Sequence, residues 1–340
     1  MSQTHTVTFR FADGASRAID VAEDETLLDA ALAGGVPLMH QCRSGSCSSC
    51  IATICEGDTS NQPGSSSTLL ASEYEAGHRL LCVSRAQSDC TFDLSYGSAE
   101  GGVVPVEVNA FVNAIEPIAS NVVKLSLELA EGNWLSFKPG QFVQIEVPGV
   151  GKLRSYSPVS TEADLPTLEL LIRLLPEGVM SSWLKSGANV DDVVKLKGPY
   201  GAFFLREKRR APHIFVAGGT GLAPVLSMID RMRQIGGRKP PMLLSFGCAT
   251  SDALFYLDEL ELRRQWLPGL DTRICVDREP DSCYHNGSPV SALRPEDVTD
   301  PDTVAYLCGP QGMIDAATRR LIELGVAPEN VFAEQFVPSN

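Results

Sequence analysis

"QCRSGSCSSC", residues 41–50, sets three thiols close together at Cys42, Cys47 and Cys50. A fourth, Cys82, lies 32 positions beyond Cys50 in "LLCVSRA". The chain has 340 residues and ten cysteines, and it opens on "MSQTHTVTFR", which has no apolar signal core. No run approaches the roughly 20 apolar residues of a membrane helix. These features lead us to expect a cytoplasmic protein with no membrane association. Clustered cysteines in that compartment read as metal ligands or redox groups rather than disulfides.

The spacing Cys42-x4-Cys47-x2-Cys50…Cys82 is that of plant-type [2Fe–2S] ligands. Each iron takes two thiolates, and the loop around a small cluster must turn backbone N–H groups toward sulfur. Ser44, Gly45, Ser46, Ser48 and Ser49 are small enough to allow that approach. Two other readings are four buried cysteines without metal and a zinc site, although zinc sites usually pair short spacings and no second pair is present. Arg43 reads as a hydrogen-bond donor near the cluster or as a surface residue. Cys55, Cys90, Cys248, Cys275 and Cys283 lack partner spacing and read as small core residues.

A net charge of −14 disfavours nucleic acid as a partner. Residues 1–100 hold five Arg, no Lys and thirteen acids, a local balance of −8. That balance serves solubility or an acidic docking face for a protein partner.

The pattern divides the chain in three, at 1–98, 103–208 and 209–340. In the first part, "HTVTFRF" and "RAIDV" alternate as strands, and "ETLLDAALAGG" reads as a helix closed by glycines. "YGSAEGGVVP" (96–105) reads as a linker. The second part carries short alternating strands such as "VVKLSLEL", "QFVQIEV" and "LELLIRLL", which suggest an antiparallel barrel. After the charged stretch "REKRRAP" (206–212), apolar strands alternate with helices, the rhythm of a doubly wound parallel α/β sheet.

Four further stretches carry chemistry. In "LRSYSPVS", Arg154 suits a flavin phosphate, Tyr156 offers a face for an isoalloxazine ring, and Ser157 a donor near the reactive nitrogen, with Ser155 between them. "LPEGVMSSWL" puts Gly178, Met180, Ser181 and Ser182 at a helix start, where free N–H groups suit a pyrophosphate. "HIFVAGGTGLAPVLSMI" is strand, then Gly218-Gly219-Thr220-Gly221, then helix, a dinucleotide-phosphate turn in which Pro224 replaces the last Gly of the full fingerprint. "YLCGPQGM" ends another apolar strand at Cys308-Gly309-Pro310, with Cys308 at the ligand edge of the sheet or simply buried there.

Taken in order, the ferredoxin spacing, R-x-Y-S, G-G-T-G-x-A-P and C-G-P resemble the ferredoxin–NADP reductase superfamily. More narrowly they resemble the three-domain reductases of bacterial multicomponent oxygenases, of the benzoate 1,2-dioxygenase reductase type, over essentially the whole chain. The resemblance implies a β-grasp [2Fe–2S] ferredoxin domain, a six-stranded FAD barrel and a doubly wound NAD domain. It implies ligand roles for Cys42, Cys47, Cys50 and Cys82, and flavin roles for Arg154, Tyr156 and Ser157. Gly219, Thr220 and Gly221 would meet the nicotinamide cofactor, Cys308 would lie near the nicotinamide, and Phe336 would cover a flavin face. Ser48 departs from the pattern, since many relatives have Gly there.

The implied function is an electron relay from NADH through FAD and [2Fe–2S] to a terminal aromatic-ring dioxygenase. A diiron monooxygenase is the alternative acceptor. A ferredoxin-type carrier with a regulatory nucleotide domain is a third reading, disfavoured by Arg154, Tyr156 and Ser157. NADH is expected over NADPH, because the loop after Cys248 offers Asp252 to a ribose hydroxyl and no Arg or Lys before Arg263. Asp252 capping a helix in "ALFYLDEL" is the competing reading.

Overall fold

The computed structural model describes residues 3–65, 67–69, 71–206, 210–278 and 283–336. Residues 207–209, part of the charged stretch between the second and third segments, lie outside them. The chain forms two compact units, Met1–Pro105 with Tyr200–Ala202, and Val106–Pro199 with Phe203–Asn340.

The first unit runs β1 (Thr4–Arg10), β2 (Ser16–Ala22), α1 (Leu27–Ala33), β3 (Ile51–Glu56), β4 (Thr59–Asn61), α2 (Ala71–Glu75), β5 (His78–Leu80), β6 (Ser84–Ala86), β7 (Cys90–Asp93) and α3 (Ser98–Gly101). Five strands make a mixed sheet in the order β2-β1-β7-β3-β5, with β1 and β7 parallel, while β4 pairs with β6. Alternation in β1 sends Val7 and Phe9 inward, and Phe9 stacks on Phe92 at 5.8 Å between ring centroids. Burying each ring is worth roughly 2–3 kcal/mol. α1 starts where sequence places it: the Asp29 N–H donates to Thr26 Oγ1 at 3.2 Å, and the Thr26 hydroxyl donates to Asp29 Oδ2 at 2.7 Å. Gly35, in the left-handed region at φ +72°, ends it.

Residues 96–102 do not form the open linker expected from their small side chains. Tyr96 is buried, and its hydroxyl accepts the Met39 N–H at 3.0 Å. α3 packs so closely that a Cβ on Gly101 would lie 1.9 Å from the Pro37 oxygen. Small residues here serve close packing rather than flexibility.

The second unit begins with β8 (Val106–Ala119), β9 (Val122–Leu129), β10 (Phe142–Glu146), β11 (Leu153–Tyr156), β12 (Thr167–Arg173), α4 (Val179–Ser186) and β13 (Val193–Tyr200). These strands form a six-stranded sheet ordered β11-β10-β13-β8-β9-β12. A bridge between Pro158 and Leu170 and the Val159 N–H on Glu169 O at 2.8 Å join its two ends into a barrel. Inside lie Leu125, Leu127, Val143, Ile145 and Leu168, and Met180 and Trp183 of α4 pack against them.

The chain continues through β14 (His213–Gly218), α5 (Leu222–Gln234), β15 (Met242–Cys248), α6 (Leu257–Trp266), β16 (Leu270–Val276), β17 (His285–Asn286), β18 (Val304–Gly309), α7 (Gln311–Glu323) and β19 (Val331–Gln335). The sheet is parallel, in the order β17-β16-β15-β14-β18-β19. Strand order reverses beside β14, so the carboxyl ends of β14 and β18 are the switch point where ligands bind. Barrel and sheet share one core. Val122, Val159, Leu171, Phe203 and Leu205 cluster with Leu222, Val225, Leu226 and Ile229 of α5. No helix among the described residues is long and apolar enough to cross a membrane.

Because Gly101 has no room and Gly102 does, alanine separates packing from linker. Gly101→Ala is expected to destabilise the first unit by about 1–3 kcal/mol. Gly102→Ala, whose Cβ would meet nothing nearer than 3.6 Å, is expected to be nearly neutral in calorimetric melting. Equal melting temperatures for the two variants would restore the linker reading.

Candidate functional site

The cysteine loop arranges its thiols in pairs. The Cys42 thiol lies beside those of Cys47 and Cys82, and the Cys50 thiol beside that of Cys82. The backbone turns toward them as the spacing requires: the N–H groups of Ser44 and Ser46 donate to Cys42 Sγ at 3.4 and 3.3 Å, and that of Cys42 to Cys47 Sγ at 3.5 Å. Cys42 is held far below the usual thiol range, first by Cys47 and then by Cys82, and Cys50 is lowered by Cys82. Cys47 is pushed up by Cys42 and burial, and Cys82 by Cys42 and Cys50. Main-chain N–H donors already face the sulfurs of Cys42 and Cys47. Among the described residues no group of three His, Cys, Asp or Glu side chains is set around a single ion. Two thiol pairs fringed by N–H donors suit a two-iron group. Arg43 points away, 3.5 Å from Asp29 in an exposed pair.

In the second unit β11 carries Arg154, half-buried, and Ser155, exposed. Tyr156 is half-buried against the barrel core, and burial raises its phenol pKa. Ser157 is 4% exposed. α4 opens at Gly178 behind Glu177, which holds the strained left-handed φ of +59°. Ser181 Oγ accepts the Leu175 N–H at 2.8 Å and Met180 fills the barrel end, so both side chains turn inward. The first-turn N–H groups point out of the helix, leaving the main chain and exposed Ser182 for a ligand.

The turns after β14 and β18 press on each other. A Cβ on Gly221 would lie 2.2 Å from Cys308 O, and one on Gly218 2.8 Å from Met313 Sδ. Gly219 differs: φ is +55° and a Cβ there would meet nothing within 4 Å. Gly221 therefore serves packing, while Gly219 leaves room for a ligand. Thr220 is 9% exposed. Phe336 donates its N–H to Gly309 O at 3.3 Å and keeps its ring partly exposed. Asp252 does not cap a helix. It sits in a 3-10 turn, Ser251–Ala253, and α6 starts later, at Leu257. Thr250 and Ser120 hydrogen-bond the exposed carboxylate and lower its pKa.

Two of the cysteines read as core residues, Cys55 and Cys283, are exposed, while Cys90 and Cys275 are buried. Cys55 lies where a bulge between Ile54 and Glu56 breaks the β3–β7 register, beside Arg10 and Asp93. Cys248 is half-buried at the end of β15, where burial pushes its thiol up to about 11 against a hydrogen bond from Gly219 N–H.

Three family descriptions match in sequence order: a 2Fe-2S iron-sulfur cluster binding domain over 11–87, an oxidoreductase FAD-binding domain over 109–205 and an oxidoreductase NAD-binding domain over 215–319. The toluate 1,2-dioxygenase electron transfer component of Pseudomonas putida is 36% identical over 338 residues, covering 99% of each chain. The chain belongs to the family of oxygenase reductase components. The propane 2-monooxygenase reductase component of Rhodococcus jostii is also 36% identical, over 94% of this chain and 88% of that one. The crystal structure of an Amycolatopsis cytochrome P450 reductase matches with a TM-score of 0.71 at 30% identity, over 98% of this reductase and 99% of that chain. As a member, the reductase is an NADH oxidoreductase in which electrons pass from NADH through FAD to a [2Fe–2S] cluster.

Sequence reading missed Glu334 of this reductase. β18 and β19 pair Cys308 with Glu334, and Ser157 Oγ donates to Glu334 Oε2 at 3.4 Å. Cys308 is fully buried, and burial followed by the Glu334 charge raises its thiol pKa. Burial pushes Glu334 up to about 8, against the pull of Ser157. The raised value favours the protonated carboxyl, a group able to give or take a proton. The one sequence signal was an acid inside the strand "VFAEQ".

The raised value has a definite sign in stability. The folded chain keeps the Glu334 proton while the unfolded chain loses it near 4.5, so stability present below 4.5 is lost as pH rises through about 8. Glu334→Gln removes the group. The parent's urea midpoint is therefore expected to fall relative to the variant's between pH 5 and pH 9. Parallel midpoints across that range would show the carboxyl to be unperturbed.

Proposed function

We propose that hydride passes from NADH at the carboxyl ends of β14 and β18 to a flavin seated on β11 and α4, and that electrons leave through the Cys42–Cys82 loop. The observation that carries this reading is the meeting of Ser157, Cys308 and Glu334 inside one packed unit. Bound FAD would supply the conversion of a two-electron donor into single electrons, and the cluster their exit. Arg154, Ser155, the first-turn N–H groups of Val179, Met180 and Ser181 beyond Gly178, and the exposed Ser182 hydroxyl would hold its phosphates, with Tyr156 and Phe336 beside its ring. Gly219, Thr220, Gly309 and Pro310 would admit the nicotinamide cofactor beside Cys308, with Gly221 letting the two turns close on each other. Ser157 donates a hydrogen bond to Glu334, whose raised pKa favours its protonated form, and positioning carries the rate. Cys42, Cys47, Cys50 and Cys82 would ligate the two irons.

The acceptor is proposed to be a terminal aromatic-ring dioxygenase, supported by the end-to-end match to the toluate 1,2-dioxygenase component. A monooxygenase is the second reading, supported by equal identity to the propane 2-monooxygenase reductase. Cys47→Ser is expected to lose NADH-driven reduction of one-electron protein acceptors at least tenfold. Ferricyanide reduction at the flavin should persist, since barrel and sheet share a core that excludes the cysteine loop. A folded, FAD-loaded variant without ferricyanide activity would break the relay order. Purified Rieske and diiron oxygenases, offered separately, decide the acceptor by which is reduced.

Asp252 is proposed to favour NADH. Its carboxylate is exposed and kept ionised by Thr250 and Ser120. A ribose hydroxyl can donate to it, whereas a 2′-phosphate meets like charge. At least a tenfold higher kcat/KM for NADH than for NADPH is expected, shrinking in Asp252→Ala combined with Ala249→Arg. Equal use of both cofactors by the parent overturns the assignment.

A further inference from the structure

We propose that Ser48 and Thr68 form a hydroxyl relay that aims one peptide N–H at Cys42 Sγ, making both of them positioning residues for the cluster. The proposal rests on Cys42 being a cluster ligand. Ser48 holds φ +52°, a left-handed conformation that is strained for a residue with a Cβ. Its hydroxyl lies 3.2 Å from Thr68 Oγ1. Thr68 in turn donates twice to the Gly45 carbonyl oxygen, through Oγ1 at 3.1 Å and through its N–H at 2.9 Å. With the Thr68 hydroxyl proton on Gly45 O, a lone pair of Thr68 Oγ1 remains to accept from Ser48.

The Gly45 carbonyl and the Ser46 N–H belong to one peptide unit. That unit is planar and trans, so its C=O and N–H point in opposite directions, and fixing the oxygen fixes the line of the N–H. The Ser46 N–H donates to Cys42 Sγ at 3.3 Å. The chain therefore runs from Ser48 hydroxyl to Thr68 hydroxyl to peptide to sulfur, and bonds in such a chain polarise one another. Hydrogen bonds to cluster sulfurs favour the reduced, more negative state and set its potential. A glycine at 48 would relieve the backbone and lose the relay.

The test is an optical redox titration with dithionite on the full-length holoprotein. Thr68→Val keeps the shape and the backbone N–H but lacks the hydroxyl. It is expected to lower the cluster potential by an amount equivalent to a two- to tenfold shift in the one-electron equilibrium, tenfold being 59 mV. Thr68→Ser should restore the parent value. Ser48→Gly should lower the potential although it eases the backbone, and the double variant should fall no further than Thr68→Val, because one break already opens the relay. A cluster-loaded Thr68→Val at the parent potential, or single shifts that add, overturns the proposal. If Thr68→Val fails to hold its cluster, the direction of the Ser48→Gly shift decides. Failure of the ligand reading would appear separately, as a parent protein without about two irons and two sulfides per chain.

Discussion

The close approach of two strand ends governs the second unit. A side chain on Gly221 would collide with the Cys308 carbonyl, and one on Gly218 with Met313 and Pro310. With both absent, the turn after β14 lies directly on the turn after β18. Cys308 is thereby sealed from water, and β19, paired beyond β18, brings Glu334 within reach of Ser157, which lies 177 residues earlier in the chain. α5 then leaves the same turn to pack on the barrel. Its Ser227 hydroxyl donates to Ser160 O at 2.8 Å, and Gln234 Nε2 to Thr161 Oγ1 at 2.9 Å. The segment that follows Tyr156 and Ser157 is thus tied to the helix that begins at the Gly219–Gly221 turn.

The cysteine loop solves a different problem. Negative sulfur needs donors but cannot accommodate bulk, so main-chain N–H groups of Ser44 and Ser46 serve Cys42. Backbone can approach that closely only if several residues leave ordinary conformations. Arg43, Gly45 and Ser48 all have positive φ, at 55°, 76° and 52°. Two of the three carry side chains, and strain of order 1–3 kcal/mol at each must be offset by surrounding contacts. Ser48 has such a contact in Thr68; Arg43 has an exposed, 3.5 Å pair with Asp29, which is worth little.

Much of this was legible because the signals are local. Cysteine spacing, alternation in β9 and β12, and the Gly-rich turn before α5 each fit within a short window. Glu334 escaped because its meaning lies in Ser157 and Cys308, which only the fold brings near. The 96–102 stretch was misread because small residues mark both flexible chain and tight packing, and the Pro37 oxygen that decides between them is remote in sequence. Asp252 was readable as a helix cap only while α6 could start early. The structure delays α6 to Leu257, behind a left-handed Tyr256.

The division of cores matches the chemistry each part serves. Hydride transfer demands reacting atoms in near contact, about 3–3.5 Å apart and aligned, and small misplacement is expensive. A shared core holds that tolerance: Val159 and Leu171 of the barrel pack in the same cluster as Leu222 and Leu226 of α5, so neither half can tilt without opening a cavity. A single electron needs no atom-to-atom contact between donor and acceptor. The cysteine loop can accordingly reside in a unit with its own core, built on Phe9, Phe92 and the face of α1.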